Sequence, residues 1–431
     1  MPPQQRIAVV GAGLSGLAAA WWLSRRHRVT LFERQPRPGF TAASVEVPDA
    51  AGRPVRVDVP LRVFYPGYYP TLTRLYDALG VASEPVSYAS SFTDPAGTLL
   101  FRYRNLRLGE HRTSWVAPQD LLRPHARQVL AGLMRFHRES LPALAQGRLA
   151  GRTVGDWVRS QRYPQAFVDT LLLPAICTVC TCGRDQALAY PAPVIVDYLG
   201  RGLTRQPVRR ARGGADEVQQ RLTQGIGELR CGVRLAAVQR LGSGVRLRHD
   251  DGAEEDFDHL VLATQANQAR RLLADASADE AAVLEGFRYQ PVEVLSHRDP
   301  ALMPPRRTHW SPVNLRLDGA QAAPESTIWI NAVQPALREA APVFQTVHPQ
   351  REPAAELLLG RARFERPVVD SGSQRALAGL HALHAQPGRR VWFCGSYAQA
   401  GIPLLESAVH SAWQVAMKLG VDQPAPAANS A

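Results

Sequence analysis

The chain has 431 residues, 45% of them hydrophobic and 20% charged, which suits a protein with two buried cores. No apolar run reaches the roughly 18 residues that span a bilayer, which argues against a membrane span. The formal charge of +12 is carried almost wholly by scattered arginine, since Lys418 is the only lysine. With no basic stripe or binding motif, a nucleic-acid partner is not expected, although the charge leaves room for peripheral contact with anionic lipid.

The start, Met1 to Arg6, lacks the apolar stretch of a signal peptide, and five cysteines show no regular framework; a cytoplasmic protein is expected. Ile7-Ala8-Val9-Val10 then reads as a strand buried on both faces. A glycine turn follows, and Leu17 to Leu23 continues as a helix. Val29 to Phe32 is a second strand, ending at Glu33. The stretch 58–204 is rich in aromatics and prolines, with helices near 119–145 and 164–182. Val218, Leu222 and Ile226 mark another helix, followed by strands near 229–238, 244–249 and 257–263. Turns at Gly242-Ser243-Gly244 and Asp250-Asp251-Gly252 separate these. Alternation over Val292 to Ser296 and Thr327 to Asn331 predicts more sheet. Val391 to Gly395 reads as a strand entering a turn. Leu405 to Leu419 sets Leu405, Ala408, Val409, Ala412, Ala416 and Leu419 on one helical face.

Gly11-Ala12-Gly13-Leu14-Ser15-Gly16 is a complete G-x-G-x-x-G between a buried strand and a helix, and Glu33 stands 17 residues after Gly16. Gly11 permits the turn, Gly13 lets backbone approach a pyrophosphate, and Gly16 lets helix pack on strand. The helix start offers amides and a positive dipole end to phosphates. Glu33 can accept both ribose hydroxyls, which disfavours NADP. A Rossmann-like α/β domain follows, but the motif does not choose between FAD and NAD.

Arg34-Gln35-Pro36-Arg37-Pro38-Gly39 resembles the basic-glycine segment of the flavin amine oxidase superfamily, which includes protoporphyrinogen oxidases and carotenoid desaturases. Val57-Asp58, Val63-Phe64, Tyr69-Pro70-Thr71-Leu72, Leu79-Gly80-Val81, Leu260 to Thr264 and Trp392 to Tyr397 resemble a bacterial branch of predicted NAD/FAD-binding oxidoreductases. Gly401-Ile402-Pro403 is similar to a turn of the desaturases. The resemblance covers essentially the whole chain. It implies a GR2-type, Rossmann-like FAD-binding domain from 1–57, 205–285 and 386–421, with an interleaved α+β substrate domain from 58–204 and 286–385. The stretch 422–431 is expected to be a disordered tail.

The cofactor implied is FAD. Its expected contacts are Gly11, Gly13, Leu14, Ser15, Gly16, Glu33, Arg34, Arg37, Leu235, Ala263, Gly395, Ser396, Pro403, Leu404 and Leu405. Leu235 takes the strand position beside adenine, and the helix from near Leu404 points at the pyrimidine end of the flavin. Phe40, Ser407 and Ala412 depart from glycines common in relatives.

The resemblance implies dehydrogenation of a small, lipophilic substrate, with the electron acceptor left open. Relatives that oxidise amines use a buried lysine; Lys418, beside the tail, does not suit that role. Amine or amino-acid oxidation by another base, redox-neutral isomerisation or cyclisation, and a non-catalytic flavin-binding accessory role are the alternatives. Arg62 is a candidate for binding a substrate carboxylate, Tyr65 and Tyr397 for facing the ring, and His297 for lining the cavity. Glu406 reads as an early-helix acid stabilised by the dipole, and His410 as a packed histidine. Cys177-Thr178-Val179-Cys180-Thr181-Cys182 has a C-x-x-C spacing, but no second pair completes a metal site, so buried thiols and no metal are expected.

Overall fold

In the computed structural model, residues 3–108, 111–202, 204, 207–319 and 323–422 are described; the expected tail, apart from Asp422, lies outside them. Five parallel strands form the first sheet, in the order Glu228–Cys231, Arg28–Glu33, Arg6–Val10, His259–Leu262 and Val391–Phe393. Ile7, Ala8 and Val9 are wholly buried because both faces of this sheet are covered. The α/β class and the Rossmann-like core read from the sequence are those found.

Helix Leu14–Leu23 is buried along its whole length. It lies under the last helix, Leu405–Lys418, where Trp22 meets Trp413 with ring centroids 5.1 Å apart. Ala18, Ala19 and Ala20 are small enough for this close approach.

A second sheet of eight strands runs Leu358–Pro367, Tyr289–His297, Phe344–Val347, Glu325–Trp329, Val313–Arg316, Ser90–Thr93, Leu99–Leu108 and His111–Trp115. Neighbours are antiparallel except Val313–Arg316 with Ser90–Thr93. Helices within 124–202 cover one face, burying Phe92, Phe101, Val313 and Leu315 with Phe136, Leu171 and Ile195. Tyr198 and Leu404 touch both this core and the core of the parallel sheet, so the site lies at that junction. Among the described residues, no helix is long and apolar enough to cross a membrane.

Three expected elements differ. The strand 229–238 is two strands, Glu228–Cys231 and Leu235–Arg240, because Gly232 takes φ 76° and donates its amide to the Gln35 carbonyl. The strand 257–263 breaks at Asp258, whose carboxylate accepts the Arg6 amide. Ile330 and Asn331 begin a short helix, and the Asn331 side chain is spent on the carbonyls of Leu337 and Ala340.

Candidate functional site

The glycine turn is held from behind. Gly11 has φ 101° and donates to the Phe32 carbonyl at 2.8 Å. A Cβ on Gly16 would lie 1.8 Å from the Gly11 carbonyl oxygen, so only glycine lets helix Leu14–Leu23 start this close to its strand. A Cβ on Gly13 would meet nothing within 4 Å, which leaves that backbone facing open space. The amides opening this helix, Leu14, Ser15 and Gly16 among them, have no intrahelical acceptor and converge there. Ala263 backs the turn: its amide donates to Val10, and its methyl would be 3.1 Å from a Cβ on Gly16.

Glu33 is 7% exposed. One carboxylate oxygen accepts the Ala12 amide at 2.8 Å and the other the Gln35 amide at 2.9 Å. A carboxylate has about four acceptor positions, so two remain for vicinal hydroxyls. Arg34 and Arg37 are exposed beside it. Val233, not singled out from the sequence, donates its amide to the Glu33 carbonyl at 3.0 Å. Leu235 lies two residues further, in the three-stranded sheet opposite His249.

The other end of the junction is built by 394–405. Ser411 binds both sides of Gly395, accepting its amide at 3.0 Å and donating to its carbonyl at 2.9 Å. Ser407 donates to the Ile402 carbonyl. Leu404 caps helix Leu405–Lys418 without a side-chain bond, so the amides of that helix start are open. Arg366 donates to the Pro403 carbonyl at 3.1 Å and tethers the turn to the eight-stranded sheet. Ser396, Tyr397, Gly401 and Pro403 line a cavity of about 320 Å³. The Tyr397 ring packs on Phe287, and its hydroxyl is buried without a hydrogen-bond partner.

The remaining candidates separate. Tyr65 joins Tyr68, Tyr69 and Tyr198 in an aromatic cluster. Its hydroxyl donates to the Tyr198 carbonyl at 2.6 Å, and burial pushes its pKa well up, so it serves as a neutral wall. The Tyr68 hydroxyl accepts the Ile402 amide at 3.1 Å, which joins this cluster to the turn before the last helix. Arg62 faces away from it. Its guanidinium lies over the Phe40 ring at 4.1 Å and donates to the Phe40 carbonyl, with Asp58 nearby. Phe40 thus engages one face and one end of the Arg62 guanidinium, while its Nε stays buried without a hydrogen-bond partner.

His297 is fully buried within the eight-stranded sheet, bonded to Thr346 at 2.8 Å and to the Asp299 amide. Among the described residues it lines none of the five cavities compared, and it packs in the core. Glu406 accepts the amides of Thr71 and Leu72 and so caps helix Pro70–Leu79. His410 is bonded to Thr71 and Gln414. Lys418 is exposed.

The Cys182 thiol is hydrogen-bonded to those of Cys177 and Cys180, which with burial pushes its pKa up. Among the described residues, no cluster of three or more His, Cys, Asp or Glu could hold a metal ion.

A second cavity, of about 120 Å³, lies between the helices and the eight-stranded sheet. Phe64, Tyr65, Tyr88, Phe92, Tyr103 and Tyr198 are the aromatic residues of its wall. The aromatic cluster stands between it and the Gly401–Ile402 turn.

Residues 9–79 match the family described as an NAD(P)-binding Rossmann-like domain. Across the whole chain, the fold is shared with a CLA-producing fatty acid isomerase from P. acnes. The two are 16% identical over 97% of this chain and 99% of that one, with a TM-score of 0.67. Putrescine oxidase bound to putrescine has 16% identity, covers 97% and 99%, and gives a TM-score of 0.65. Cyclohexylamine oxidase from Brevibacterium oxydans IH-35A has 16% identity, covers 97% and 100%, and gives 0.64. At such identities the likeness is one of fold, and it agrees with the resemblance to the flavin amine oxidase and desaturase superfamily.

Proposed function

We propose that this chain binds FAD and uses it to take a hydride from a largely apolar small molecule. The observation that carries the reading is one junction holding two complementary ends: an open amide cradle with an acidic clamp, and an aromatic-lined cavity. The residues present fit the cofactor, since the space at Gly13 is free and Glu33 keeps two acceptor positions. FAD, once bound, supplies a two-electron acceptor for the hydride.

The chain's own residues supply the rest. The amides opening helix Leu14–Leu23 hold the diphosphate, and Glu33 orients the ribose. The open start of helix Leu405–Lys418 favours negative charge at the ring end, where charge develops on reduction. The tyrosine cluster, bonded to the turn through the Ile402 amide, would keep water from the ring end, and the aromatic walls would orient the substrate.

The purified protein is expected to be yellow, and anaerobic addition of lipid-like or polyene compounds should bleach it where amines do not. A colourless protein that stays colourless with excess FAD refutes the cofactor; bleaching by amines alone refutes the substrate class. A redox-neutral isomerisation is the second reading, favoured by the fold shared with a fatty acid isomerase. It would convert substrate with no lasting bleaching.

A further inference from the structure

One hairpin of the eight-stranded sheet gathers exposed apolar side chains among arginines. Five large apolar side chains stand exposed among the described residues, and three of them are Leu106, Trp115 and Leu122, close together in the chain. A single exposed leucine is ordinary, but a group on one face is not. Strands Leu99–Leu108 and His111–Trp115 pair Asn105 with Ser114, and both of these line the aromatic cavity. Arg104 and its partner Trp115 therefore point the other way, and Leu106, two residues on from Arg104, shares that side. Arg102 lies there too and holds two further segments against the face. Its guanidinium pairs with Asp120 at 3.1 Å, two residues before Leu122. It also donates to the Thr308 carbonyl at 2.6 Å, next to the exposed Arg306 and Arg307. Arg123 donates to the Leu99 carbonyl at 2.8 Å. Charge on this face is lopsided: residues 102–115 hold four arginines against one acid, Glu110. Asp120 is buried against Arg102, and Asp94 accepts the Thr98 amide of its own turn.

We propose that this face docks on an anionic lipid surface, with Leu106, Trp115 and Leu122 set among the headgroups and the arginines pairing with their phosphates. Leucine and tryptophan flanked by cations suit that border, where apolar tips leave water and charged heads stay in it. Charge decides against a second copy of this chain, since two such faces would bring arginine against arginine. Duplex DNA would answer the arginines but give the leucines nothing to enter. The other side of the same hairpin walls the aromatic cavity, so docking would set that cavity beside a store of apolar molecules. The inference goes beyond the hydride reading and does not depend on it.

The test is co-sedimentation of the purified protein with two kinds of vesicle: phosphatidylcholine alone, and phosphatidylcholine with about one third phosphatidylglycerol. The protein should pellet with the anionic vesicles and stay in solution with the neutral ones. Raising salt from about 0.05 to about 0.5 M should weaken the binding at least ~tenfold. Arg306→Glu with Arg307→Glu should weaken it at least ~30-fold. Arg271→Glu with Arg375→Glu changes the net charge equally, at exposed positions on helices of the parallel-sheet domain, and should cost less than about threefold. Leu106→Ser with Leu122→Ser should cost about tenfold. Both leucines are exposed, so the unfolding midpoint, measured alongside, should hold.

The inference is overturned if the anionic vesicles leave the protein in solution, if they bind it no better than neutral ones, or if the Arg271 and Arg375 changes cost as much as those at Arg306 and Arg307. A protein that binds duplex DNA but no vesicles, or a dimer that Leu106→Ser with Leu122→Ser splits, would give the face to another occupant and overturn it too. Sedimentation needs no flavin: a colourless protein can dock and a yellow one can fail to, so the two readings fail separately.

Discussion

Replacing Gly13 by alanine separates folding from cofactor binding. Gly13 has φ −73° and ψ 178°, a conformation open to any residue, and the added methyl meets nothing within 4 Å. Alanine is a poorer helix cap than glycine by about 0.5–1 kcal/mol, but it also lowers the entropy of the unfolded chain by a similar amount, about 0.4–1 kcal/mol. The apo protein should therefore keep its stability to within about 0.5 kcal/mol. The same methyl stands where a diphosphate must come within hydrogen-bond reach of the helix amides. Hydrogen bonds to a charged group contribute about 1.5–3 kcal/mol each, so lengthening even one or two should cost FAD affinity at least ~100-fold, about 2.7 kcal/mol. Gly16→Ala is the contrast: its Cβ at 1.8 Å from the Gly11 oxygen forces the backbone apart, with about 3 kcal/mol or more lost from the apo protein. Thermal unfolding of the apo forms and titration with FAD followed by flavin fluorescence read both quantities. A Gly13→Ala protein with unchanged FAD affinity would show that no phosphate lies against this turn.

Glu33→Gln should weaken FAD about tenfold and cost the apo protein about 1–2 kcal/mol, because one of its two charge-assisted amide bonds is lost; titration and melting check it. Glu406→Gln should lower the unfolding midpoint by the cost of a weakened cap on helix Pro70–Leu79, about 1 kcal/mol. A fall in turnover at unchanged midpoint would instead make Glu406 a catalytic base. Burial lowers the His297 pKa to about 4, and its Nδ1 accepts the Asp299 amide, so the folded state holds this ring neutral. Between the unfolded value near 6.5 and about 4, the unfolded chain binds the extra proton; stability is full above that window and falls as pH drops through it. His297→Gln should flatten the decline between pH 6.5 and 4 in denaturant titrations, by roughly 2–3 kcal/mol. An unchanged slope would mean that His297 titrates elsewhere.

The cradle was legible because it is local: glycine turn, helix start and acidic clamp fall within about thirty residues, and each residue type answers to one steric or electrostatic need. The last helix was legible for the same reason, as its apolar face recurs at helical spacing. What escaped depends on partners far away in the chain. Hydrophobic alternation reports one strand at a time, so nothing in 90–93 announces its parallel neighbour at 313–316. His297 looked like a cavity residue because a histidine in a strand has no stated face until its neighbours are known. Thr346 and Asp299 settle that it faces the core. The packing of Arg62 on Phe40 was not legible, since a stacking partner 22 residues away leaves no trace in local spacing. The break between 231 and 235 was hidden as well, since only the Gly232 amide bond reveals that strand boundary.

The two ends of the last helix bear directly on the choice of chemistry. Its start reaches the junction, while Lys418 sits at its other end, 13 residues along from Leu405 and so about 20 Å away at 1.5 Å per residue. A rigid helix cannot fold that distance away, so with the ring placed at the helix start as proposed, the sole lysine would not hold a water against it. Amine oxidation needs two things of a pocket: a partner for the ammonium, and a base to take its proton before hydride leaves. The described walls of the aromatic cavity offer neither, since the residues named there include no acid, base or cation and their tyrosines are kept neutral by burial. A C–H bond in an uncharged apolar molecule makes smaller demands, needing close placement against the acceptor and exclusion of water. Aromatic walls at the junction suit those demands, which is the ground for proposing a neutral substrate.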